Sequence, residues 1–201
     1  ICQPLNDAEE PSLLKVISPL KHLKSYKAQY LIFGIPMINL LFKIYSGLVH
    51  LRKHFKMTRK DIAVNHFRKG RNCAQSVLLS FSDDLELDPV TAIEIASGFG
   101  GGMGRLQKTC GALTGSFMVI GLHNSRNISD EHERKEATNR LIQELEEDFS
   151  RDFGYSDCAL LTSVNLNTPE GQDKFTSESI DSRICEKCVS ACTAWLSNKL
   201  K

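Results

Sequence analysis

From Met57 onward, apolar residues recur three and four positions apart, which is the spacing of residues on one face of an α-helix. Side chains that cap helices, two of them followed by proline, divide this part of the chain into separate helices. The predicted helices begin after Met57 and at or near Asn72, Asp88, Thr109, Asp130, Thr168 and Cys185. The pattern predicts an all-α fold, a compact helical bundle with a glycine-rich interhelical loop and a helical N-terminal extension.

The glycine-rich loop spans residues 98–104 and has glycines at 98, 100 and 102, as a phosphate cradle would. No predicted strand precedes the loop, and a nucleotide site is therefore not expected. We interpret the loop as a tight connection between two helices, and the alternative is a nest of amides for the charge of a sulfur site. The next helix carries Gly111, Gly115 and Gly121, which predict close approach of a second helix, within the chain or in a homodimer.

Residues 1–56 differ from the rest of the chain. Residues 31–42 form an apolar run of 12, shorter than the roughly 20 residues that span a membrane. The sequence begins with Ile1, and Met57 resembles an ordinary start before an amphipathic helix. We expect an N-terminal extension at 1–56, non-native or poorly ordered, and a helical cysteine-containing redox domain at 57–201. A packing helix and a membrane-associating segment are the alternatives for the extension.

Charge excludes some classes of function. Lysine and arginine total 25 and aspartate and glutamate 24, so no net field attracts nucleic acid or a membrane surface. Seven cysteines make up about 3.5% of the chain, below the roughly 8–10% of secreted disulfide scaffolds. An odd number of thiols and a chain long enough for a real core favour reduced cysteines in a cytoplasmic protein.

The cysteines are the only concentrated chemistry in the sequence. Cys73 falls in the first turn of a predicted helix and Cys110 at the amino end of another, where unpaired amides favour a thiolate. Cys185, Cys188 and Cys192 are spaced i, i+3 and i+7, on one helix face. Such thiols exchange disulfides, bind zinc, bind iron–sulfur clusters or simply pack as small apolar groups. The histidines at 66, 123 and 132 lack metal-ligand spacing.

Several motifs occur in a recognisable order: Asn-Cys-Ala-Gln at 72–75, the glycine run at 97–105, Cys-Gly-Ala-Leu-Thr-Gly at 110–115, Cys158, Thr-Pro-Glu-Gly at 168–171 and Cys185. In this order the chain resembles the redox-active C_GCAxxG_C_C family over about residues 57–200. The resemblance implies a small helical protein of bacteria or archaea, with Cys73, Cys110, Cys158 and Cys185 in the signature positions. This chain reads Cys-Gly-Ala where the family name has Gly-Cys-Ala.

Three hypotheses about the signature thiols follow from the resemblance. The first is electron transfer through an iron–sulfur cluster held by the four signature cysteines, with Cys188 as a substitute ligand. The second is thiol–disulfide exchange in which Cys185 attacks and Cys188 or Cys110 resolves. The third is a structural zinc site in an interaction module. Covalent haem is excluded because Val189, not histidine, follows Cys188. The expected partner is a redox protein or oxidoreductase.

Overall fold

The structure, a computed structural model, describes residues 57–200, and the predictions for residues 1–56 therefore lie outside the described part. Helices dominate the described residues, which contain no strand beyond one isolated bridge between Thr109 and Asp157. The all-α prediction is confirmed. The α-helices are α1 (Arg59–Arg68), α2 (Cys73–Ser80), α3 (Pro89–Ala96), α4 (Gly100–Met103), α5 (Gly111–Asn127), α6 (Glu131–Phe153), α7 (Cys158–Thr162), α8 (Pro169–Ser177) and α9 (Glu186–Lys199).

Capping side chains start the helices where the sequence predicted them. The Asn72 side chain accepts a hydrogen bond from the Gln75 amide, and the Gln75 side chain accepts one from the Asn72 amide, which completes a capping box for α2. Single capping bonds from Asp88, Asp130 and Thr168 begin α3, α6 and α8. These bonds satisfy backbone amides that have no partner within the helix.

The core forms around α2, which packs against α5, α1, α3 and α9. Its largest fully buried side chains come from α2, α5, α6 and α9, among them Leu78, Leu113, Leu145 and Leu196. At the contact between α2 and α5, a Cβ placed on Gly115 would lie 2.7 Å from the Ala74 carbonyl oxygen. The small-residue surface of α5 therefore serves close helix approach within the chain.

The glycine-rich loop connects α3 to α5 through a left-handed backbone. A 3₁₀ turn at Ser97–Phe99 leads into α4, and residues 101–105 and 107 all have positive φ. Three of these left-handed residues are not glycine: Met103, Arg105 and Gln107. No strand precedes the loop in the described residues, which fits the interpretation of the loop as a tight interhelical connection.

Among residues 57–200, no helix has the length and apolar character needed to cross a membrane.

Candidate functional site

Six cysteines of the described residues lie in or beside one region of the core, and all six are free thiols. Cys73 is the first residue of α2, Cys110 precedes α5, and Cys158 is the first residue of α7. Cys185 ends a π-helical segment, Asp181–Cys185, that leads into α9, and the last two thiols follow within α9. Cys73 and Cys185 are half-buried, and the other four are buried.

The structure brings the four predicted site cysteines together. The thiols of Cys185, Cys110 and Cys158 lie close enough to Cys73 to affect its ionisation. Cys158 is in turn influenced by Cys110 and Cys185. Thiols from four separate elements of the chain thus interact with one another. Such convergence is what a shared site requires, and it excludes the alternative of thiols dispersed over the surface.

The thiols of α9 join the same group. Cys188 lies close enough to Cys110 to affect its ionisation, and Cys192 lies near Cys110 and Ser116. Cys185 therefore neighbours Cys73, and Cys188 neighbours Cys110. Cys188 lies near both Cys110 and Cys185. The exchange of Cys185 with Cys188 or Cys110 stays a prediction.

Backbone hydrogen bonds hold Cys110 beside Cys158. The Cys110 amide donates to the Ser156 carbonyl at 2.8 Å, and the Cys158 amide donates to the Lys108 carbonyl at 2.7 Å. Between them, Thr109 and Asp157 form the isolated antiparallel bridge. Two cysteines that are 48 positions apart in the sequence, 158 less 110, are thereby fixed side by side.

Two glycines leave room for the cysteines. A Cβ on Gly111 would lie 3.0 Å from Cβ of Cys73 and 2.9 Å from the Phe99 carbonyl oxygen. A Cβ on Gly102, whose φ is +66°, would lie 2.6 Å from Cβ of Cys158. Any larger residue at these positions would displace a signature cysteine, because the surrounding contacts are with backbone or a Cβ atom rather than a flexible side chain.

Electrostatics single out Cys110 within the group. Its contact with Cys188 lowers the Cys110 pKa, burial opposes this, and the nearby amides of Ala112 and Leu113 lower it further. The Cys110 side chain makes no capping hydrogen bond to α5. The lowered pKa agrees with the prediction that the amino end of α5 favours a thiolate at Cys110.

Four of the other thiols, those of Cys73, Cys158, Cys188 and Cys192, are held in the neutral form. Contact with Cys185 and then burial raise the pKa of Cys73 well above its usual range. Burial, followed by the charge of Cys110, raises the pKa of Cys158 to about 12. Contact with Cys110 raises the pKa of Cys188, and burial raises that of Cys192. These four thiols therefore stay protonated beside Cys110, whose pKa is lowered.

The raised pKa of Cys158 predicts a loss of stability at high pH for the reduced, metal-free chain. Below about pH 9 the thiol is protonated whether the chain is folded or unfolded, and the full contribution to stability is present. Between about 9 and 12 only the unfolded chain releases this proton, so Cys158 by itself should lower the free energy of unfolding by about 1 kcal/mol per pH unit. Chemical denaturation at several pH values measures this slope. Cys158→Ser should have a shallower slope, and equal slopes in the two proteins would contradict the assignment.

Sequence reasoning missed Gln107, which is buried and hydrogen bonded beside Cys158. In the sequence, the position of Gln107 just after the glycine run was the only signal of its role.

Within residues 57–200, no group of three or more cysteine, histidine, aspartate or glutamate side chains stands in an arrangement ready for a metal ion. The sulfurs contact one another as thiols, and metal binding would require them to release their protons.

Comparison with known proteins gives one match. A family model described as "Putative redox-active protein (C_GCAxxG_C_C)" matches residues 71–199 of this chain. The matched range contains all six thiols of the group described above. Searches of curated proteins and of solved structures found no match.

Proposed function

Since the chain belongs to the C_GCAxxG_C_C family of redox-active proteins, we propose that its four signature thiols bind an iron–sulfur cluster used in electron transfer. The observation that carries the proposal is the convergence of Cys73, Cys110, Cys158 and Cys185 from four separate elements of the fold. Four cysteine thiolates are the ligand set of the common two-iron and four-iron clusters.

Two features of the surroundings suit an anionic group at the thiols. Cys73 and Cys110 lie at the amino ends of α2 and α5, where the helix dipole stabilises negative charge. Gly102 and Gly111 keep side chains away from Cys158 and Cys73. The donor set is made wholly of sulfur, which suits iron–sulfur clusters and other thiophilic metals better than magnesium or calcium.

The chain's own contribution is to assemble and protect the ligands. The pKa of Cys110 is lowered, and the charge of its thiolate then favours the approach of a cation to the neighbouring thiols. A bound cluster would supply one-electron transfer at a potential set by its surroundings. The half-buried Cys73 and Cys185 lie at the edge of the group nearest solvent, where a redox protein or oxidoreductase partner would exchange electrons.

The contact between Cys73 and Cys185 favours a second candidate, thiol–disulfide exchange. In this reaction the Cys185 thiolate attacks a substrate disulfide and releases one substrate thiol. A second protein thiol then displaces the other substrate thiol, leaving a protein disulfide and a substrate reduced by two electrons. Cys73 is a candidate for this second thiol because it lies near Cys185. The sequence predicted Cys188 or Cys110 in the same role.

Purification of the full chain under nitrogen, followed by iron, sulfide and zinc analysis and a visible spectrum, tests the proposal. We expect broad visible absorbance with iron and acid-labile sulfide in similar amounts. Zinc without colour would replace the cluster with a structural zinc site. A metal-free protein whose thiols titrate reversibly against a redox buffer would instead favour disulfide exchange.

A further inference from the structure

Gln107 occupies a position that the four-cysteine signature does not include. Its side chain is 6% exposed and makes two hydrogen bonds to a segment more than 50 residues away. Nε2 donates to the Val164 carbonyl at 2.7 Å, and Oε1 accepts from the Leu166 amide at 2.8 Å. Both functions of the amide group are therefore used in binding one short stretch of backbone.

The main chain at Gln107 holds the start of α7. The Gln107 carbonyl accepts from the Ala159 amide at 3.1 Å, and the next carbonyl, of Lys108, accepts from the Cys158 amide at 2.7 Å. The Gln107 amide donates to the Gly101 carbonyl at 3.2 Å. One residue thus connects the glycine-rich loop, the Cys158 backbone and the segment at 164–166.

The backbone of Gln107 is held in an unfavourable conformation. Its φ is +56°, in the left-handed region that residues other than glycine rarely adopt. Glycine would adopt this conformation without strain, but it could not make the two side-chain bonds. A strained residue persists only where its surroundings fix it, and such residues concentrate at functional sites.

We propose that Gln107 is a positioning residue of the sulfur site, which holds Cys158 against the other thiols by joining the glycine-rich loop to residues 164–166. The side-chain hydrogen bonds of Gln107 go to Val164 and Leu166, and it acts on Cys158 through the backbone of residues 107–108. The assignment rests on the proposed function in one respect, namely that Cys158 is a ligand.

Alkylation of Cys158 in the reduced full chain, treated with chelator and checked for metal, tests the positioning role. Cys158 is 7% exposed, so it should react slowly with iodoacetamide at neutral pH. Gln107→Met retains the volume of the side chain but loses both hydrogen bonds. We expect it to raise the alkylation rate of Cys158 by about tenfold or more, because a thiol released from the core becomes accessible to the reagent. Peptide mass spectrometry measures each cysteine separately.

Two comparisons separate positioning from general destabilisation. Cys192 in the same molecule should keep its wild-type rate, and Asn124→Leu removes another buried amide hydrogen bond, to Thr138, as a matched control. We expect the control to lower thermal stability without exposing Cys158. A Gln107→Met protein in which Cys158 reacts within about twofold of wild type, or in which all six thiols become equally reactive, would overturn the proposal.

Gln107→Glu keeps the proposal testable if the methionine variant fails to fold. When protonated, the introduced carboxyl donates to Val164 and accepts from Leu166 as the amide does; when ionised, it loses the donor. The ratio of the Cys158 alkylation rate in Gln107→Glu to that in wild type should therefore approach one at acidic pH and rise as pH increases. A ratio that does not change with pH would contradict the positioning role. These measurements use metal-free protein. A wild-type protein that lacks iron would therefore overturn the proposed iron–sulfur cluster, but the alkylation test of Gln107 would still apply.

Discussion

Replacing Cys158 with serine is expected to reduce bound iron to about a tenth of the wild-type content or less, since a lost ligand costs more than the 10–100-fold in metal affinity typical of outer-shell changes. The same loss is expected for Cys73, Cys110 and Cys185, because each supplies one of the four converging thiols. Iron and acid-labile sulfide are measured on each variant after purification under nitrogen, together with the visible absorbance.

Cys192→Ser is the matched control for this set. Cys192 is 1% exposed and lies near Cys110, yet it stands outside the four signature positions. We expect this variant to retain its iron, with any change confined to thermal stability. Equal iron loss from Cys192→Ser and Cys158→Ser would mean that packing rather than ligation governs iron binding. Retention of iron by Cys158→Ser would remove that residue from the site.

Replacing Gly115 with alanine is expected to lower the free energy of unfolding by about 3 kcal/mol, at the upper end of the cost of overpacking a core. The new Cβ would lie 2.7 Å from the Ala74 carbonyl oxygen and 2.9 Å from the Ala74 Cα. Both are backbone atoms of α2, and relief requires that whole helices move apart. Urea denaturation followed by circular dichroism measures the change.

Gly121 provides the control on the same helix. A Cβ at Gly121 would meet nothing within 4 Å, and its backbone is helical. Gly121→Ala is therefore expected to raise the free energy of unfolding by about 0.5–1 kcal/mol, because alanine loses less conformational entropy on folding. If both variants had the same small effect, α2 and α5 would not be packed as closely as described. Separation of α2 from α5 should also reduce iron binding, since Cys73 and Cys110 start these helices.

Local signals in the sequence were enough to predict most of the helix starts. Asn72, Asp88 and Asp130 form capping bonds within three residues of themselves, so their effect depends little on the rest of the fold. The position of Cys110 before α5 follows from the same local rules. The convergence of four thiols was predicted through family resemblance rather than through spacing, because it depends on how separate helices pack.

The remaining features depend on contacts between distant residues. Sequence spacing placed Cys185, Cys188 and Cys192 on one face, but which thiol contacts which is decided by how α9 packs on α2 and α5. Likewise, the intrinsic preferences of Met103, Arg105 and Gln107 disfavour the left-handed backbone they adopt. For Gln107 that conformation is stabilised by Val164 and Leu166, which local sequence rules do not connect to it.

X-ray absorption at the iron edge of the full chain purified under nitrogen tests the central claim most directly, because it identifies the atoms that bind the metal. The four proposed ligands, Cys73, Cys110, Cys158 and Cys185, are all free cysteines. We therefore predict that the first coordination shell of iron is made wholly of sulfur, with iron neighbours beyond it. A first shell that contains nitrogen or oxygen, or a protein that holds no iron, would contradict a cluster bound by the four signature cysteines.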